Sequence, residues 1–272
     1  MQPLDLNPTW ATAPVFFFIV ISRYALLSGA LYFFFYRWRR EALASTKIEA
    51  RWPKPEVVRR EILWSISTSA IMAVAGTAGL WAWAHGYTRV YLDIDEYGWG
   101  YFFLSVPILM CLHEVYFYWT HRWLHLPWWF RKVHRIHHES VNPTPWAVFS
   151  FHPVEAGIQA VVLPVLVLFV PVHPAALLIF LTIMTVTGVL NHTGYEIYPK
   201  KLATSRMGRY VIGATHHYLH HRKFHCNFGL YVSVLDHWFG TEDPQYVATY
   251  QKVIARRLRL FGLRSVGRAG AV

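Results

Sequence analysis

Four stretches of this chain are too long and too apolar to be covered by an ordinary protein core. Residues 14–36 are almost wholly apolar, interrupted mainly by Arg23. Residues 62–84 form a second run that ends in Trp81 and Trp83, and residues 101–120 a third that carries His113 and Glu114. Residues 155–190 are longer and are broken by Pro171-Val-His-Pro174, so each half approaches the roughly 20 residues a helix needs to cross a bilayer. Backbone in lipid satisfies its own polar groups only as a helix or a closed barrel. The expectation is therefore an all-α integral membrane protein with about four membrane-spanning or re-entrant helices, the last run forming a hairpin. Hydrophobic residues are 54% of the chain and charged residues only 15%, against about 25% charged in soluble proteins. Aromatics reach 17%, with thirteen Trp, a composition suited to several membrane–water boundaries. The first run lacks a basic leader and a small-residue cleavage site, so it is read as a helix and not as a signal peptide.

A formal net charge of +11 raises the question of nucleic acid. The basic residues form no nucleic-acid-binding motif, and nucleic acid is not expected as a partner. They cluster beside the apolar runs: residues 37–61 contain Arg37, Arg39, Arg40, Lys47, Arg51, Lys54, Arg59 and Arg60, whereas residues 85–97 set Arg89 against Asp93, Asp95 and Glu96. Cytoplasmic loops carry the excess of Lys and Arg, which puts the first loop inside and the second outside. Every histidine cluster then falls on the cytoplasmic side, of a bacterial inner membrane or of the endoplasmic reticulum. The basic stretch from Lys252 to Arg268, punctuated by Leu and Phe, suits either anionic headgroups or a solvated tail. Cys111 and Cys226 suggest no disulfide framework. Three regions follow: membrane helices with a basic loop (1–108), a histidine-rich region (109–243) and a basic C-terminal tail (244–272).

Sixteen histidines are present, and their spacing carries the chemistry. His121-x-x-x-His125 is followed by His134-x-x-His137-His138 and, later, by His217-x-x-His220-His221 with His216 adjacent. At this histidine content an H-x-x-H-H pattern arises by chance only about 0.05 times per chain, so two copies are not coincidence. On a helix, positions i and i+4 lie roughly 40° apart and i+3 about 60° to the other side. Each triplet is therefore expected to share one face and converge on a metal centre. The triplets and the pair supply eight imidazoles, enough for two metals. Imidazole suits iron, zinc or copper alike, and a structural dinuclear site or an adventitious tract is the bland alternative. His113-Glu114 is not followed by a second histidine four residues on, which removes the H-E-x-x-H zinc protease.

At these residues the sequence resembles the sterol desaturase/fatty acid hydroxylase superfamily. The resemblance rests on Glu114-Val-Tyr-Phe-Tyr-Trp-Thr-His-Arg-Trp-Leu-His125, where the family commonly has Asp at the first position. It rests also on His134-Arg-Ile-His-His138 with Asn142-Pro-Thr-Pro145 and Phe151-His-Pro-Val-Glu155, and on His217-Tyr-Leu-His-His221 with Asn227-Phe-Gly229 and Asp236-His-Trp-Phe-Gly-Thr241. Pro53-Lys-Pro55, Arg59-Arg-Glu-Ile62 and the Phe-His-Pro-Val-Glu segment look like the sterol C-5 desaturase (lathosterol oxidase) branch. Asn191-His-Thr-Gly-Tyr-Glu196 is closer to other sterol-modifying and bacterial members. The resemblance implies metal ligands His121, His125, His134, His137, His138, His217, His220 and His221, with His192 as a ninth. It leaves His152 and His216 open. His85, His173, His225 and His237 are read as interfacial or surface residues.

The resemblance further implies two iron ions, for which zinc can substitute in purified protein, and O2 as co-substrate in the desaturation or hydroxylation of a sterol-like or fatty-acyl lipid drawn from the bilayer. No Gly-rich nucleotide-binding motif or fused haem domain is read in the sequence, so electrons are expected from a separate donor, cytochrome b5-like or a ferredoxin/reductase pair. Arg122, Arg131, Lys132 and Arg135 offer that partner a basic surface. Glu114 lies seven and eleven residues before His121 and His125, within roughly 20° of each on an ideal helix. It is expected to bond a ligand imidazole or to pair with Arg122 or another cation; a protonated, buried Glu is the other reading. A zinc-dependent enzyme that uses no oxygen and a metal transporter are the competing functions.

Overall fold

Proline opens three of the helices that shape this molecule, at the one place where its missing N–H costs nothing. The computed structural model describes residues 10–199, 202 and 205–260. Helix α1, Ala13–Phe33, runs on through a single π-helical turn, Phe34–Trp38. Helix α2 is Pro55–Ala84, α3 is Gly98–Leu124, α4 is Pro153–Phe169 and α5 is Pro174–Asn191. Two further helices, α6 (Ala214–Lys223) and α7 (Tyr246–Leu260), follow the bundle. No β-strand occurs among the described residues, only isolated bridges. The spans Trp10–Trp38, Pro55–Ala84, Gly98–Leu124 and Pro174–Asn191 are each long and apolar enough to cross a membrane, and Pro153–Phe169 is an apolar helix just below that length. The chain is an all-helical integral membrane protein.

Helices α4 and α5 are the expected hairpin, and their tip decides its depth. Arg89 N–H donates to the Val167 carbonyl at 2.8 Å, Tyr91 N–H to Val172 at 3.2 Å, and Val172 N–H back to Arg89 at 3.3 Å. The tip therefore sits beside the 85–97 loop, at the end where α2 finishes and α3 begins. A hairpin anchored there traverses the bundle and does not turn back midway, with α4 about 26 Å long at 1.5 Å per residue. A histidine precedes each proline of the pair: His152 Nδ1 accepts from Val154 N–H and His173 Nδ1 from Ala175 N–H, both at 3.1 Å. Each ring satisfies an N–H that the first helical turn leaves without a partner. His152 is thus a helix cap.

Phe102, Val106 and Leu109 of α3 pack with Val167 of α4 and with Ala176 and Phe180 of α5 near the hairpin end. Towards the other end, Val20 and Tyr24 of α1 meet Val148, Phe149 and Val189. Helix α2 buries a polar stripe at helical spacing, namely Glu61, Ser65, Thr68 and Ser69. Ser65 Oγ donates to the Trp146 carbonyl at 3.1 Å and Thr144 Oγ1 to Glu61 Oε2 at 2.5 Å. These bonds tie the loop after the second histidine triplet to the membrane helices.

Residues 246–260 are not a loose tail. Tyr246, Tyr250, Val253 and Ile254 of α7 are buried against Tyr218 and Leu219 of α6 and against Ile48. Arg257 donates to the carbonyls of Glu196 and Tyr198, both at 2.6 Å. The rest of the basic stretch, 261–272, lies outside the described residues.

Candidate metal centre

Three segments of helix and one helix end deliver imidazoles to a single volume. The last turn of α3 supplies His121 and, at its C-cap, His125. The turns Phe130–His134 and Arg135–His138 supply His134, His137 and His138. His192 caps α5, and α6 supplies His217, His220 and His221. Apart from His125, which is half-buried, all are buried.

The structure gathers these nine into two groups. His121, His125, His134, His138 and His220 form one, and His137, His192, His217 and His221 the other, with the ligand-capable atoms of each group within 4.8 Å of one another. Neither triplet converges on one point, contrary to the sequence expectation. His134 and His138 enter the first group while His137 enters the second; His217 and His221 enter the second while His220 enters the first. The geometry of the helix explains the split. Residues i and i+4 are close in angle, but i+3 and i+4 are about 100° apart, so adjacent histidines straddle the gap between two centres.

Within the first group, His138 Nε2 lies 3.2 Å from His125 Nε2, 3.0 Å from His134 Nε2 and 3.1 Å from His220 Nε2. Within the second, His217 Nε2 lies 2.9 Å from His192 Nε2 and 3.1 Å from His221 Nε2. These are not hydrogen bonds wherever the ring N–H is already committed elsewhere. His121 Nδ1 donates to the Phe228 carbonyl at 2.8 Å, His134 Nδ1 to Glu155 Oε1 at 2.7 Å, His192 Nδ1 to the Gly188 carbonyl at 2.7 Å and His220 Nδ1 to the Cys226 carbonyl at 2.7 Å. With Nδ1 protonated, each of these rings turns a bare Nε2 lone pair inward. Burial, aided by the neighbouring imidazoles, holds His134, His138, His217, His220 and His221 well below the ordinary histidine range, and burial takes His192 to about 4. They are neutral at pH 7, the form that binds metal.

Converging neutral lone pairs in a dry space repel one another, and a cation at the focus of each group removes that repulsion. The spacing suits a shared metal in each group: for a metal–nitrogen bond of about 2.1 Å, neighbouring ligands lie about 3.0–3.4 Å apart in octahedral or tetrahedral arrays. Aromatic rings wall the space: Phe224 and Phe130 stand 5.0 and 5.5 Å from His138, Phe228 5.1 Å from His125 and Phe151 5.0 Å from His137.

Glu114 meets neither a histidine of these groups nor Arg122. Its two oxygens accept from Leu230 N–H at 3.0 Å and Tyr231 N–H at 2.8 Å. Asp236 takes the two preceding N–H groups, of Phe228 at 2.7 Å and Gly229 at 2.9 Å. Two carboxylates thus grip four successive N–H groups and fix the Phe228 carbonyl to which His121 donates. Arg122 instead donates to the Tyr118 hydroxyl at 3.4 Å. The direct carboxylate–imidazole contact is made by Glu155, both partners being almost wholly buried. Sequence reasoning assigned Glu155 no role, although its place two residues after the proline that opens an apolar helix marks it as a carboxylate in need of a partner.

His216 is buried but belongs to neither group; it packs edge-on against Tyr246 at 5.0 Å. His85, His225 and His237 are exposed and His173 is half-buried at the hairpin tip. His113, which the sequence left without a role, is bonded through Nδ1 to the Tyr231 hydroxyl at 2.8 Å.

Comparison with known proteins places this architecture in a family. Residues 106–241, half of the chain, match the Fatty acid hydroxylase family, and the chain belongs to it. Among curated relatives, a Delta(7)-sterol 5(6)-desaturase of Gibberella zeae is 33% identical over 57% of this chain and 47% of its own length. One of Schizosaccharomyces pombe is 28% identical over 86% of this chain and 68% of its own length. The Lathosterol oxidase of Homo sapiens is 27% identical over 68% and 60%. The chain spans about half to three-fifths of the length of several of these relatives. No solved structure matches it.

Proposed function

We propose that this member of the fatty acid hydroxylase family is an O2-dependent membrane oxidoreductase that desaturates or hydroxylates a lipid. The observation that carries the reading is the pair of histidine groups, five and four, in which ring nitrogens face one another 2.9 to 3.1 Å apart. His121, His125, His134, His138 and His220 would hold one iron ion, and His137, His192, His217 and His221 the other. Bound there, the irons supply O2 activation and removal of hydrogen from an unactivated carbon.

The chain's own residues set the conditions for that chemistry. Glu155 and the carbonyls of Phe228, Gly188 and Cys226 orient the rings and raise their basicity by accepting the Nδ1 proton. Phe130, Phe151, Phe224 and Phe228 keep bulk water from the space between the groups. Nine neutral ligands add no negative charge, so the reducing strength of the site depends on these contacts and on burial.

The substrate is proposed to be a sterol-like or fatty-acyl lipid entering from the bilayer, and the names of the relatives favour a sterol. The basic 37–61 loop lies at the same end as the histidines, since Asn142 Nδ2 donates to the Arg51 carbonyl at 2.7 Å and Lys47 Nζ donates to Asn142 Oδ1 at 2.9 Å. With positive-inside sorting, this supports a cytoplasmic site. Electrons are proposed to come from an acidic partner docking on Arg131, Lys132 and Arg135, which are exposed beside His134, and on Arg122. A transporter would be expected to spread its ionisable groups along the membrane path, whereas these nine histidines gather in two adjoining groups.

The test is comparison of lipids from cells expressing the chain with those from cells expressing His138→Ala/His220→Ala. A species that has lost two hydrogens or gained one oxygen, present only with the unaltered chain, is the expected result. Identical lipid profiles under aeration with the donor supplied would refute the reading.

A further inference from the structure

Where α1 ends and α2 begins, the two helices leave between them a cavity of about 600 Å³, within the size range of sites that hold small organic molecules. It is separate from the histidine groups, for none of the nine imidazoles lines it. Its chemistry changes with depth. Arg37, Arg40 and Arg59 line it at the end nearest the basic loop. Tyr32 lies more than a turn deeper along α1 than Arg37, and Ile62 and Leu63 about a turn deeper along α2 than Arg59. Leu63 is 55% exposed, so this lower part opens towards lipid.

The three guanidinium groups are uncompensated. None forms an ion pair among the described residues, whereas neighbouring Arg60 and Arg51 are paired, with Glu139 at 3.0 Å and Glu49 at 3.4 Å. The nearest acidic residues in sequence, Glu41, Glu56 and Glu61, do not line the cavity. Arg40 is held over the Trp52 ring, 4.4 Å from its centroid, so its charge is positioned without being neutralised. Pro55 places the positive end of the α2 dipole at the same mouth. Topological sorting accounts for cations in this loop, but it does not call for three unpaired ones around a cavity with an apolar floor.

We propose that this cavity binds an anionic glycerophospholipid. Its phosphate sits among Arg37, Arg40 and Arg59, its glycerol region lies against Trp52, and its acyl chains leave past Tyr32, Ile62 and Leu63 into the bilayer. The site needs only the membrane setting of α1 and α2 and is independent of any metal.

The full chain, reconstituted in vesicles of equimolar phosphatidylcholine and phosphatidylglycerol, is extracted in mild detergent and its retained lipid identified by native mass spectrometry. Phosphatidylglycerol is expected in about tenfold or greater excess over phosphatidylcholine, given the attraction of a basic cluster for anionic lipid. The variant R37Q/R40Q/R59Q is expected to lose the excess, while R131Q/K132Q/R135Q, with the same change in charge at the same end of the molecule, keeps it. Equal retention of both lipids by the unaltered chain overturns the proposal, as does equal loss in both variants. Displacement of the lipid by millimolar inorganic phosphate also overturns it, by showing a site for the free anion. A photoactivatable phosphatidylglycerol on the unaltered chain decides the matter should the variant not fold: labelling within residues 32–63 supports the site, and labelling confined elsewhere refutes it.

Discussion

Replacing Glu155 by Gln should loosen one metal of the two and leave the other alone. The carboxylate accepts the Nδ1 proton of His134 at 2.7 Å, and both side chains are about 2% exposed or less. Neither can turn to water for a substitute partner. Loss of such a support to a ligating imidazole lowers metal affinity by about 10- to 100-fold, or about 1.4–2.7 kcal/mol. Gln keeps the volume and offers a neutral carbonyl oxygen, which places Glu155→Gln near the lower end. Glu155→Ala leaves the buried His134 N–H unpaired, at a further cost of about 1–3 kcal/mol. Because His134 belongs to the five-histidine group only, a chelator titration followed by metal analysis should show one equivalent released at roughly tenfold lower chelator and the second unmoved. An unchanged titration, or equal weakening of both equivalents, would refute the reasoning.

Other expectations separate ligands from their neighbours. His192→Ala should remove about one equivalent of metal, whereas His216→Ala, outside both groups, should leave both; metal analysis of the two purified variants checks this. Gly229→Ala would put a Cβ 2.7 Å from the Val232 carbonyl and 2.9 Å from Glu114 Oε1. Overpacking of that kind costs about 1–3 kcal/mol, read as a lowered thermal midpoint. Acid should destabilise the metal-stripped protein. His192 is held at about 4 by burial against about 6.5 in the unfolded chain, so between these values the unfolded state binds the extra proton and stability falls as pH falls. A thermal midpoint flat from pH 6.5 to 4 would contradict that sign.

The histidines were legible because helix-borne imidazoles recur at three- and four-residue steps, a local signal that survives in one dimension. Their division between two centres was implicit in the same steps but needs the position of the opposing helices: His137 and His138 point apart, and only α6 and the end of α5 show to what. The partners of the two carboxylates needed the fold for a related reason. Glu114 shares a helix face with His121 and His125, which made it the obvious partner, but the chain folds residues 228–231 onto it, and backbone N–H groups take both oxygens. Glu155 reaches His134 from the start of another helix, a contact no periodicity announces. At the C-terminus the burial pattern of Tyr246, Tyr250, Val253 and Ile254 is helical and was visible, but the basic charge around it drew the reading towards a tail. The hairpin's depth rested on hydrogen bonds between residues 89–91 and 167–172, far apart in the chain.

The most direct test is metal analysis of the full chain, purified from membranes without chelators, joined to lipid turnover measured with and without O2. Two iron ions per chain, with product formed only when O2 and a reductant are both present, is the expected result. Turnover supported by zinc in the absence of O2 would contradict the two-iron oxygenase.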